Sequence, residues 1–327
     1  MDYRTVGATG VQVSPLCFGT MSFGSEADEE TSAAMYRRVR EAGINFFDTA
    51  NVYGGGRSEE ILGKLAVGER DDIVITSKVG FPVKGDPNAQ GLSRRHLMQS
   101  VDASLTRLGT DRIDFYFLHT FDPRTPIEQT LRALDNLQQQ GKILYPAVSN
   151  WAAWQIATAL GVSTREGLAR FELIEPMYNL VKRQAEVEIL PLAQAENMGV
   201  ITYSPLGGGL LTGKYRGGQQ PEGGRLVENA RYADRYGLES DRTTAERFAA
   251  FADDAGIAPA ALAVAWAMGH PGVTAPIVGA RNLEQLEGSL AALEVEMTPE
   301  LRRRVSELSP TPAPANDRTE TLTGNWA

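Results

Sequence analysis

Asp48, Lys78 and His119 each follow a short, mainly apolar run in the first 120 residues of the chain. Runs of this length and composition predict buried β-strands. An unpaired charge at the end of a buried strand is costly, so we expect Asp48 and Lys78 to form an ion pair. Three successive strands that deliver an acid, a base and a histidine to one edge are typical of a barrel active site.

Tyr53 lies in the polar loop that follows Asp48. Its phenol could act as a general acid toward a substrate oxygen that gains negative charge during a reaction. The ordinary pKa of tyrosine is ~10, and the Lys78 ammonium would stabilise the phenolate and lower that pKa. Asp48 would position Lys78, and His119 would hydrogen-bond the substrate oxygen. The alternative is that these residues form only a structural ion pair and a buried core histidine.

A scaffold for these side chains is predicted by apolar runs that alternate with helical patterns along the chain. The 327 residues suit one α/β barrel, which needs ~250 residues plus insertions. We predict a (β/α)8 TIM barrel with an N-terminal β-hairpin over residues 3–15 and extra helices. Its strands are predicted at residues 16–20, 44–47, 73–78, 113–118, 143–148, 171–174, 200–203 and 275–278.

Capping signals predict where several of the intervening helices begin. Ser58 and Ser93 are good N-cap residues, and Asn282 is a third, with Gln285 at the third helical position. Residues 125–128 have the sequence Thr-Pro-Ile-Glu, which predicts a capping box with proline at the first helical position.

The second half of the chain departs from the simple alternation. Residues 183–198 are predicted to be helical, and residues 205–242 form a long loop rich in glycine and charge. Pro146 lies inside a predicted central strand, which suggests a local bulge. We predict one domain over residues 1–308. The tail at 309–327 contains three prolines and mostly polar residues, so we expect it to be disordered.

The composition argues against several classes of protein. A formal net charge of −9 does not suit a general nucleic-acid binder. The single cysteine, Cys17, cannot form an intramolecular disulfide, and the N-terminus lacks the apolar segment of a signal peptide, so we predict a cytoplasmic protein. The longest apolar stretch, residues 258–268, is too short to span a membrane. No metal site is predicted, and the choice between monomer and homo-oligomer stays open.

The loop from Asp48 to Gly54, with the pattern Asp-Thr-Ala-x-x-Tyr-Gly, resembles the active-site loop of the aldo-keto reductases. Lys78 and His119, at the ends of the next two predicted strands, complete the match to the catalytic tetrad of that family. The resemblance covers roughly residues 3–308. It implies a barrel enzyme that uses NADPH to reduce an aldehyde or ketone, with a small-molecule carbonyl compound as substrate.

Two other functions stay open at this point. Potassium-channel β subunits share the fold, and residues 56–63 resemble theirs, so a non-catalytic or weakly catalytic NADPH-binding regulatory subunit is the alternative. The same segment occurs in plain reductases, so turnover of aldehydes would discriminate better than this motif. A third interpretation is an unrelated barrel isomerase. It would have no nicotinamide-binding segment and would not explain Arg281, which is suited to pairing with a phosphate group.

A glycine-rich segment after the seventh predicted strand is the main candidate for cofactor binding. The chain has no Gly-x-Gly-x-x-Gly motif after its first strand, so a doubly wound nucleotide-binding fold is not predicted. Backbone N–H groups of the segment could bind a pyrophosphate, although such a run can also be a flexible turn. The resemblance implies that Tyr203 stacks on the nicotinamide. The cofactor-binding residues assigned here are Tyr203, Ser204, Pro205, Leu206, Gly207, Gly209, Leu210 and Lys214.

Other strand ends are also expected to contact the cofactor. Small residues after the first strand would let a ligand approach the backbone, and the resemblance implies contacts to the nicotinamide carboxamide after the fifth. The residues after the first strand are Gly19, Thr20 and Met21. The residues after the fifth strand are Ser149 and Asn150.

Gly279, Arg281 and Gln285 resemble the segment of the family that holds the adenosine phosphate. Arg281 is suited to pairing with a ribose 2′-phosphate, because a guanidinium at the start of a helix favours anions. The alternative is a solvated arginine.

Two positions depart from the family pattern. Glu175 stands where many relatives have a glutamine that contacts the nicotinamide amide, and a carboxylate there can accept but cannot donate. Gly288 and Ser289 stand where many relatives have Glu-Asn beside the adenine.

Aromatic residues in or beside the strand-end loops are candidates for the wall of an apolar substrate pocket. These residues are Phe23, Phe81, Phe121 and Trp151, with Trp154 nearby. We expect about half of them to contact the substrate, whose identity the sequence does not give.

Overall fold

Eight parallel β-strands close into a barrel in the computed structural model, which describes residues 1–83 and 85–316. Each strand pairs with the next along the chain and the last pairs with the first, so the predicted (β/α)8 TIM barrel is confirmed. The predicted hairpin consists of β1 (Arg4–Thr5) and β2 (Gln12–Val13). The barrel strands are β3 (Cys17–Gly19), β4 (Phe46–Asp48), β5 (Val74–Val79), β6 (Ile113–Leu118), β7 (Ile143–Ser149), β8 (Leu173–Glu175), β9 (Gly199–Thr202) and β10 (Ala275–Val278).

Helices surround the barrel in the described part of the chain. They are α1 (Glu29–Glu41), α2 (Arg57–Leu65), α3 (Arg94–Leu108), α4 (Ile127–Gln139), α5 (Ala153–Glu166), α6 (Ile189–Ala195), α7 (Arg225–Glu228), α8 (Ala230–Arg235), α9 (Glu239–Asp254), α10 (Pro259–Met268), α11 (Leu283–Leu290) and α12 (Pro299–Ser306). Short 3-10 helices lie at Tyr53–Gly56, Arg70–Asp72, Gln184–Glu186, Gly207–Thr212, Arg216–Gly218 and Ala291–Glu294. The long segment predicted at 205–242 therefore contains α7 and α8 rather than loop alone.

The inside of the barrel is a packed apolar core. Cys17, Phe46 and Phe115 are fully buried there, in one cluster with Val6 and Val13 of the hairpin. Because strand side chains alternate between two faces, the neighbouring residues point outward, where they pack against the helices. The hairpin thus covers the N-terminal end of the barrel and leaves the other end for a site.

Arg4 ties the hairpin to the last part of the chain. Its Nη1 atom donates hydrogen bonds to the carbonyl oxygens of Met268 (3.1 Å), Val273 (3.2 Å) and Thr274 (3.0 Å). These carbonyls lie at the last residue of α10 and in the segment before β10, so one guanidinium satisfies three acceptors at the closed end of the barrel.

Two predicted N-caps are wrong. Helix α2 begins at Arg57 with Gly56 as its N-cap, while Ser58 is fully buried and hydrogen-bonds Thr20 instead. Helix α4 begins one residue after the predicted start, with Pro126 at the N-cap. The Thr125 hydroxyl donates to the Asp122 carboxylate (2.9 Å), so no capping box forms. In both places a tertiary partner competes successfully for the hydroxyl group.

The other local predictions have mixed outcomes. Ser93 and Asn282 do cap their helices. The predicted helix at 183–198 is wrong in part, because only Gln184–Glu186 and Ile189–Ala195 are helical. Pro146 causes no bulge: the pairing of β6 with β7 keeps its register through Tyr116 and Pro146.

Among the described residues no single helix is long and apolar enough to cross a membrane. Helices α9 and α10 meet the length and composition criteria only as a pair, which is bent by 103°. Residues 309–316 contain no helix or strand, and the rest of the predicted disordered tail, residues 317–327, lies outside the described residues.

Gly63→Ala should destabilise the protein by about 1–3 kcal/mol, because a methyl group there would overlap the backbone carbonyl of Leu108 where α2 packs on α3. Gly161→Ala is a matched control, since Gly161 is also helical but a methyl group added to it would meet nothing within 4 Å. That control should stabilise by about 0.5–1 kcal/mol. Urea unfolding of both variants tests the pair, and equal effects would contradict the close packing.

Candidate active site

Three adjacent strands bring the candidate catalytic residues to the open end of the barrel. Asp48 is the last residue of β4, Lys78 lies near the end of β5, and His119 directly follows β6. Tyr53 begins a 3-10 turn beyond β4, where Gly54 and the next glycine adopt positive φ angles of 56° and 65°. Side chains other than glycine rarely adopt such angles, so the glycines allow the tight turn that returns Tyr53 toward the strands.

Lys78 is the centre of the site. Its fully buried ammonium donates to an Asp48 carboxylate oxygen, to the Thr49 carbonyl (3.1 Å) and to the Tyr53 hydroxyl (3.4 Å). Burial opposes the positive charge, but Asp48 and Glu175 more than offset it and raise the pKa of Lys78 above its ordinary value. Lys78 is therefore protonated at neutral pH.

Asp48 has a second partner that the sequence pattern did not reveal. The Thr76 hydroxyl donates to the same carboxylate oxygen as Lys78, at 2.5 Å. Thr76 stands two residues before Lys78, and alternate residues of a strand share a face. That spacing was the available signal for this contact.

Tyr53 differs from the expectation in its net pKa. Lys78 does lower the pKa of Tyr53, as expected, but burial raises it by more, and Asp48 and Glu175 add to the rise. The net pKa lies above the ordinary value, so the expected lowering of the Tyr53 pKa is wrong. The phenol keeps its proton at neutral pH and can act as a proton donor.

His119 is a buried, neutral imidazole. Burial is the main cause that holds its pKa well below the ordinary value, and the charge of Lys78 adds to it. Its Nδ1 atom is buried without a hydrogen-bond partner in the described structure. The ring lies 5.8 Å from the ring of Tyr53 and 4.5 Å from that of Phe81, measured between centroids. A neutral ring in this place can hydrogen-bond a carbonyl oxygen without adding charge.

Glu175 forms a second acidic contact with Lys78, which the sequence did not predict. It is the last residue of β8, and its Oε2 atom lies 3.5 Å from the Lys78 ammonium. Among the described residues this oxygen has no hydrogen-bond partner. Burial raises the pKa of Glu175 to about 8; Lys78 opposes the rise and Asp48 adds to it. Burial thus favours the protonated form of Glu175, and a protonated carboxyl group can donate as well as accept a hydrogen bond.

A cavity of about 370 Å3 opens beside this group, between the ends of β7, β8 and β9. Asn150, Trp151, Glu175, Met177 and Tyr203 are among the residues that line it. It combines apolar walls with a few polar groups, which is typical of a site for an organic ligand.

Hydrogen bonds link the strand ends around the cavity. The Tyr203 hydroxyl donates to Asn150 Oδ1 (2.7 Å), and Asn150 Nδ2 donates to the His119 carbonyl (2.9 Å) and to Ser149 Oγ (3.1 Å). Ser149 Oγ in turn donates to the Glu175 carbonyl (3.0 Å). Asn150 also adopts a positive φ of 60°, an uncommon conformation that is frequent at functional sites. The structure thus brings together the residues assigned to the nicotinamide end of a cofactor.

The glycine-rich segment forms a compact turn in this structure. Gly207 and Gly209 have positive φ angles, and their N–H groups donate to the carbonyls of Ser204 (2.9 Å) and Leu206 (3.0 Å) within the turn. The side chains of Pro205 and Leu210 are buried. The N–H groups of these two glycines, which we expected to be offered to a pyrophosphate, are therefore already used inside the turn.

Gly19 and Gly279 lie next to each other where β3 meets β10. A Cβ atom on Gly279 would lie 3.4 Å from the Gly19 carbonyl oxygen, and one on Gly19 would lie 2.7 Å from the Ile277 side chain. The Thr20 hydroxyl points inward to the Asp48 carbonyl (3.0 Å), while Met21 is exposed. The small residues make a close backbone approach possible at this edge.

Arg281 is engaged with protein groups. Its Nη1 donates to the Gly223 carbonyl (2.8 Å), and its Nη2 lies 2.6 Å from the Glu26 carboxylate. Gln285, in the first turn of α11, accepts from the Arg281 N–H (3.2 Å). Lys214 is half-buried, and its pKa is lowered by burial first and then by the charges of Arg281 and Arg225. The predicted phosphate-binding end is thus rich in positive charge.

The aromatic candidates divide into two groups. Phe81 is exposed beside His119, and Phe121 packs edge-on against Trp151, with ring centroids 4.9 Å apart. Trp154 is largely exposed beyond Phe121. Phe23 is fully buried against Phe18, at 5.8 Å, so its assignment to the substrate pocket is wrong: the ring belongs to the core and has no accessible surface.

Asp48, Lys78, Tyr53 and His119 lie at or just beyond the C-terminal ends of the barrel strands. This is where the active sites of TIM-barrel enzymes lie. Comparison with known proteins gives the family. The profile described as "Aldo/keto reductase family" matches residues 15–310. The chain belongs to the aldo/keto reductase family.

The curated relatives include both enzymes and channel subunits. An uncharacterized oxidoreductase of Bacillus subtilis (strain 168) is 36% identical, over 95% of this chain and 97% of its own length. A probable voltage-gated potassium channel subunit beta of Arabidopsis thaliana is 37% identical, over 90% and 92%. A versiconal hemiacetal acetate reductase of Aspergillus parasiticus is 32% identical, over 92% and 94%. The family and the reductase-named relatives support an oxidoreductase of the carbonyl-reducing kind.

Glu175→Gln should change how stability depends on pH. The pKa of Glu175 is raised in the folded protein, to about 8, so the folded state binds a proton that the unfolded state has lost. Wild-type stability should therefore fall as the pH rises from the unfolded pKa of ~4.3 toward about 8, by at most ~1.4 kcal/mol per pH unit. Glutamine cannot ionise, so the variant should lack this slope.

Urea unfolding of wild type and Glu175→Gln at pH values of about 5 and 8 measures the difference. Glu188→Gln is a control, because this glutamate is exposed on the surface. Parallel pH profiles for all three proteins would contradict a proton on Glu175.

Proposed function

We propose that this protein reduces an aldehyde or ketone to an alcohol with NADPH, and that Tyr53 is the general acid. The observation that carries the proposal is the buried Lys78 ammonium, which contacts both the Tyr53 hydroxyl and Asp48 beside a neutral His119. A structural ion pair alone would not require a protonated tyrosine and a histidine at the same strand ends.

The reduction needs a hydride, which the cofactor supplies, and a proton, which Tyr53 supplies. As the hydride adds to the carbonyl carbon, the carbonyl oxygen becomes an alkoxide, and the Tyr53 O–H bond breaks to protonate it. Lys78 Nζ lies 3.4 Å from the Tyr53 hydroxyl oxygen and stabilises the phenolate that remains. Asp48 positions Lys78, and His119 orients the substrate oxygen. Water then returns a proton to Tyr53.

The residues that would hold the cofactor lie on both sides of the barrel mouth. Asn150, Ser149 and Tyr203 form a connected polar group next to Glu175, which suits a carboxamide. Burial favours the protonated form of Glu175, and in that form the side chain can donate to the carboxamide oxygen much as a glutamine would. Arg281 and the cations around it suit a ribose 2′-phosphate, which favours NADPH over NADH.

The second candidate function is a weakly catalytic, NADPH-binding regulatory subunit. It is favoured by the relatives named as potassium channel β subunits, which are 35–37% identical to this chain. A panel of aldehydes and ketones, each assayed with NADPH and with NADH, separates the two. Tight NADPH binding without measurable turnover on any member of the panel would favour the subunit.

Tyr53→Phe should abolish reduction and leave NADPH binding nearly unchanged. The variant removes only the acidic hydroxyl, and loss of a general acid typically costs about 10²–10⁴-fold in rate. Lys78→Met should be similarly severe, because it removes the group that stabilises the phenolate. Steady-state rates and fluorescence titration with NADPH measure both properties.

Tyr145→Phe is the matched control for Tyr53→Phe. Its hydroxyl donates to the Thr9 carbonyl (3.3 Å) at the closed end of the barrel, so activity should persist. Reductase activity of Tyr53→Phe within about tenfold of wild type would refute the assigned role.

Arg281→Ala should erase most of a preference for NADPH, which we expect to be about tenfold to a hundredfold in the wild type. Charge-assisted hydrogen bonds of ~1.5–3 kcal/mol to the 2′-phosphate supply that preference, and 1.4 kcal/mol is about tenfold. The KM for NADPH should rise while that for NADH stays nearly fixed. The effect should shrink as salt rises, since a partly exposed ion pair is screened.

Arg132→Ala controls for the loss of a positive charge, because Arg132 pairs with Glu128 and Glu166 on the outer helices. Equal efficiency of wild type with both cofactors would argue against the assignment of Arg281, as would equal weakening of both by Arg281→Ala.

A further inference from the structure

One carboxylate, that of Glu26, lies between two arginines that come from distant parts of the chain. Glu26 belongs to the loop between β3 and α1. Its Oε1 atom lies 2.6 Å from Nη2 of Arg281, and its Oε2 atom lies 3.2 Å from Nη2 of Arg225. Arg281 follows β10, and Arg225 begins α7, so Glu26 joins three segments at one edge of the barrel mouth.

Positive charge exceeds negative charge around Glu26. Lys214 is close enough to Arg281 and Arg225 that both lower its pKa, after burial. Arg281 and Arg225 contact Glu26, and Lys214 lies near both arginines. The cluster contains one further acid, Glu228, whose carboxylate accepts from the Gly223 N–H (2.9 Å). A cluster with this balance attracts an additional anion.

We propose that Glu26 is a cofactor-specificity residue: its carboxylate occupies the face of Arg281 that a ribose 2′-phosphate needs, and so limits the preference for NADPH. This inference rests on the proposed role of Arg281. A phosphate must displace Glu26 from Arg281 before it can form its own charge-assisted bonds. NADH carries no such phosphate and leaves the Glu26–Arg281 pair intact.

The exposure of the pair makes this exchange feasible. The side chains of Glu26 and Arg281 are 35% and 24% exposed, and ion pairs of this kind are weak and readily rearranged. Arg225 gives the displaced carboxylate a second partner. After its displacement from Arg281, the Glu26 carboxylate would still lie close to the bound phosphate and repel it, because like charges at short distances are only partly screened.

A purely structural role for Glu26 makes a different prediction. The same two ion pairs tie the segment that contains Gly223 and α7 to the barrel. If Glu26 only held that segment in place, its loss would loosen the whole binding surface. Both cofactors would then bind less well, and by similar factors.

Glu26→Gln tests the proposal, because glutamine keeps the size of the side chain and removes the charge. We would measure dissociation constants, without turnover, for NADPH, NADH, adenosine 2′,5′-bisphosphate and adenosine 5′-monophosphate. The two ligands with a 2′-phosphate should bind about tenfold more tightly to the variant, and the other two should change by less than about threefold. The gain should shrink at high salt.

Glu29→Gln is the matched control. Glu29 is also partly exposed and pairs with Arg57 and Lys64, outside the cation cluster. It should leave the ratio of NADPH to NADH affinity unchanged, which separates a local contact from a general change in surface charge.

Three results would overturn the inference. Similar weakening of all four ligands by Glu26→Gln would assign Glu26 a structural role. An unchanged affinity ratio in Glu26→Gln, together with a loss of preference in Arg281→Ala, would refute the role of Glu26 and leave that of Arg281 in place. Failure of wild type to bind either dinucleotide would refute the proposed function and the inference together.

Discussion

The burial of a single ammonium group constrains the whole site. Lys78 has no exposed surface, and a buried charge is tolerated only when partners surround it. Asp48 supplies the negative charge, and Thr49 and Tyr53 take the remaining hydrogen bonds. These partners come from β4 and the loop behind it, so the register of β4 against β5 must be fixed for the charge to be stable. The same register places the Tyr53 hydroxyl beside the ammonium.

Glu175 shows what happens when two acids share that ammonium. Lys78 can neutralise one carboxylate fully, and Asp48 is better placed because Thr76 also donates to it. Glu175 has the longer contact and, among the described residues, an oxygen without a hydrogen-bond partner, and burial raises its pKa. The two carboxyl groups thus differ in their hydrogen bonds, because Asp48 accepts from both Lys78 and Thr76 whereas Glu175 has only the longer contact with Lys78.

The residues of the site could be predicted from the sequence where the relevant contact joins neighbouring strands. Asp48, Lys78 and His119 end successive apolar runs, and the ends of parallel strands meet at one edge. The contact of Lys78 with Glu175 could not be predicted in this way, because β5 and β8 are not neighbours in the sheet. The pairing of Glu26 with Arg281 joins positions at opposite ends of the chain, and no local pattern indicates it. Ser58 and Phe23 were misassigned because tertiary burial overrode a local signal.

The hairpin at the closed end of the barrel has a consequence for how the chain is made. Arg4 leaves the ribosome well before its acceptors at Met268, Val273 and Thr274, which lie at least 264 residues further along the chain. Strand β3 likewise waits for β10 as its neighbour. Until β10 has been synthesised, one edge of β3 is unpaired and the apolar residues of β3 and the hairpin are exposed. Transiently exposed apolar surface and unpaired strand edges promote aggregation. The barrel can therefore close, through the pairing of β3 with β10, only after β10 has been synthesised.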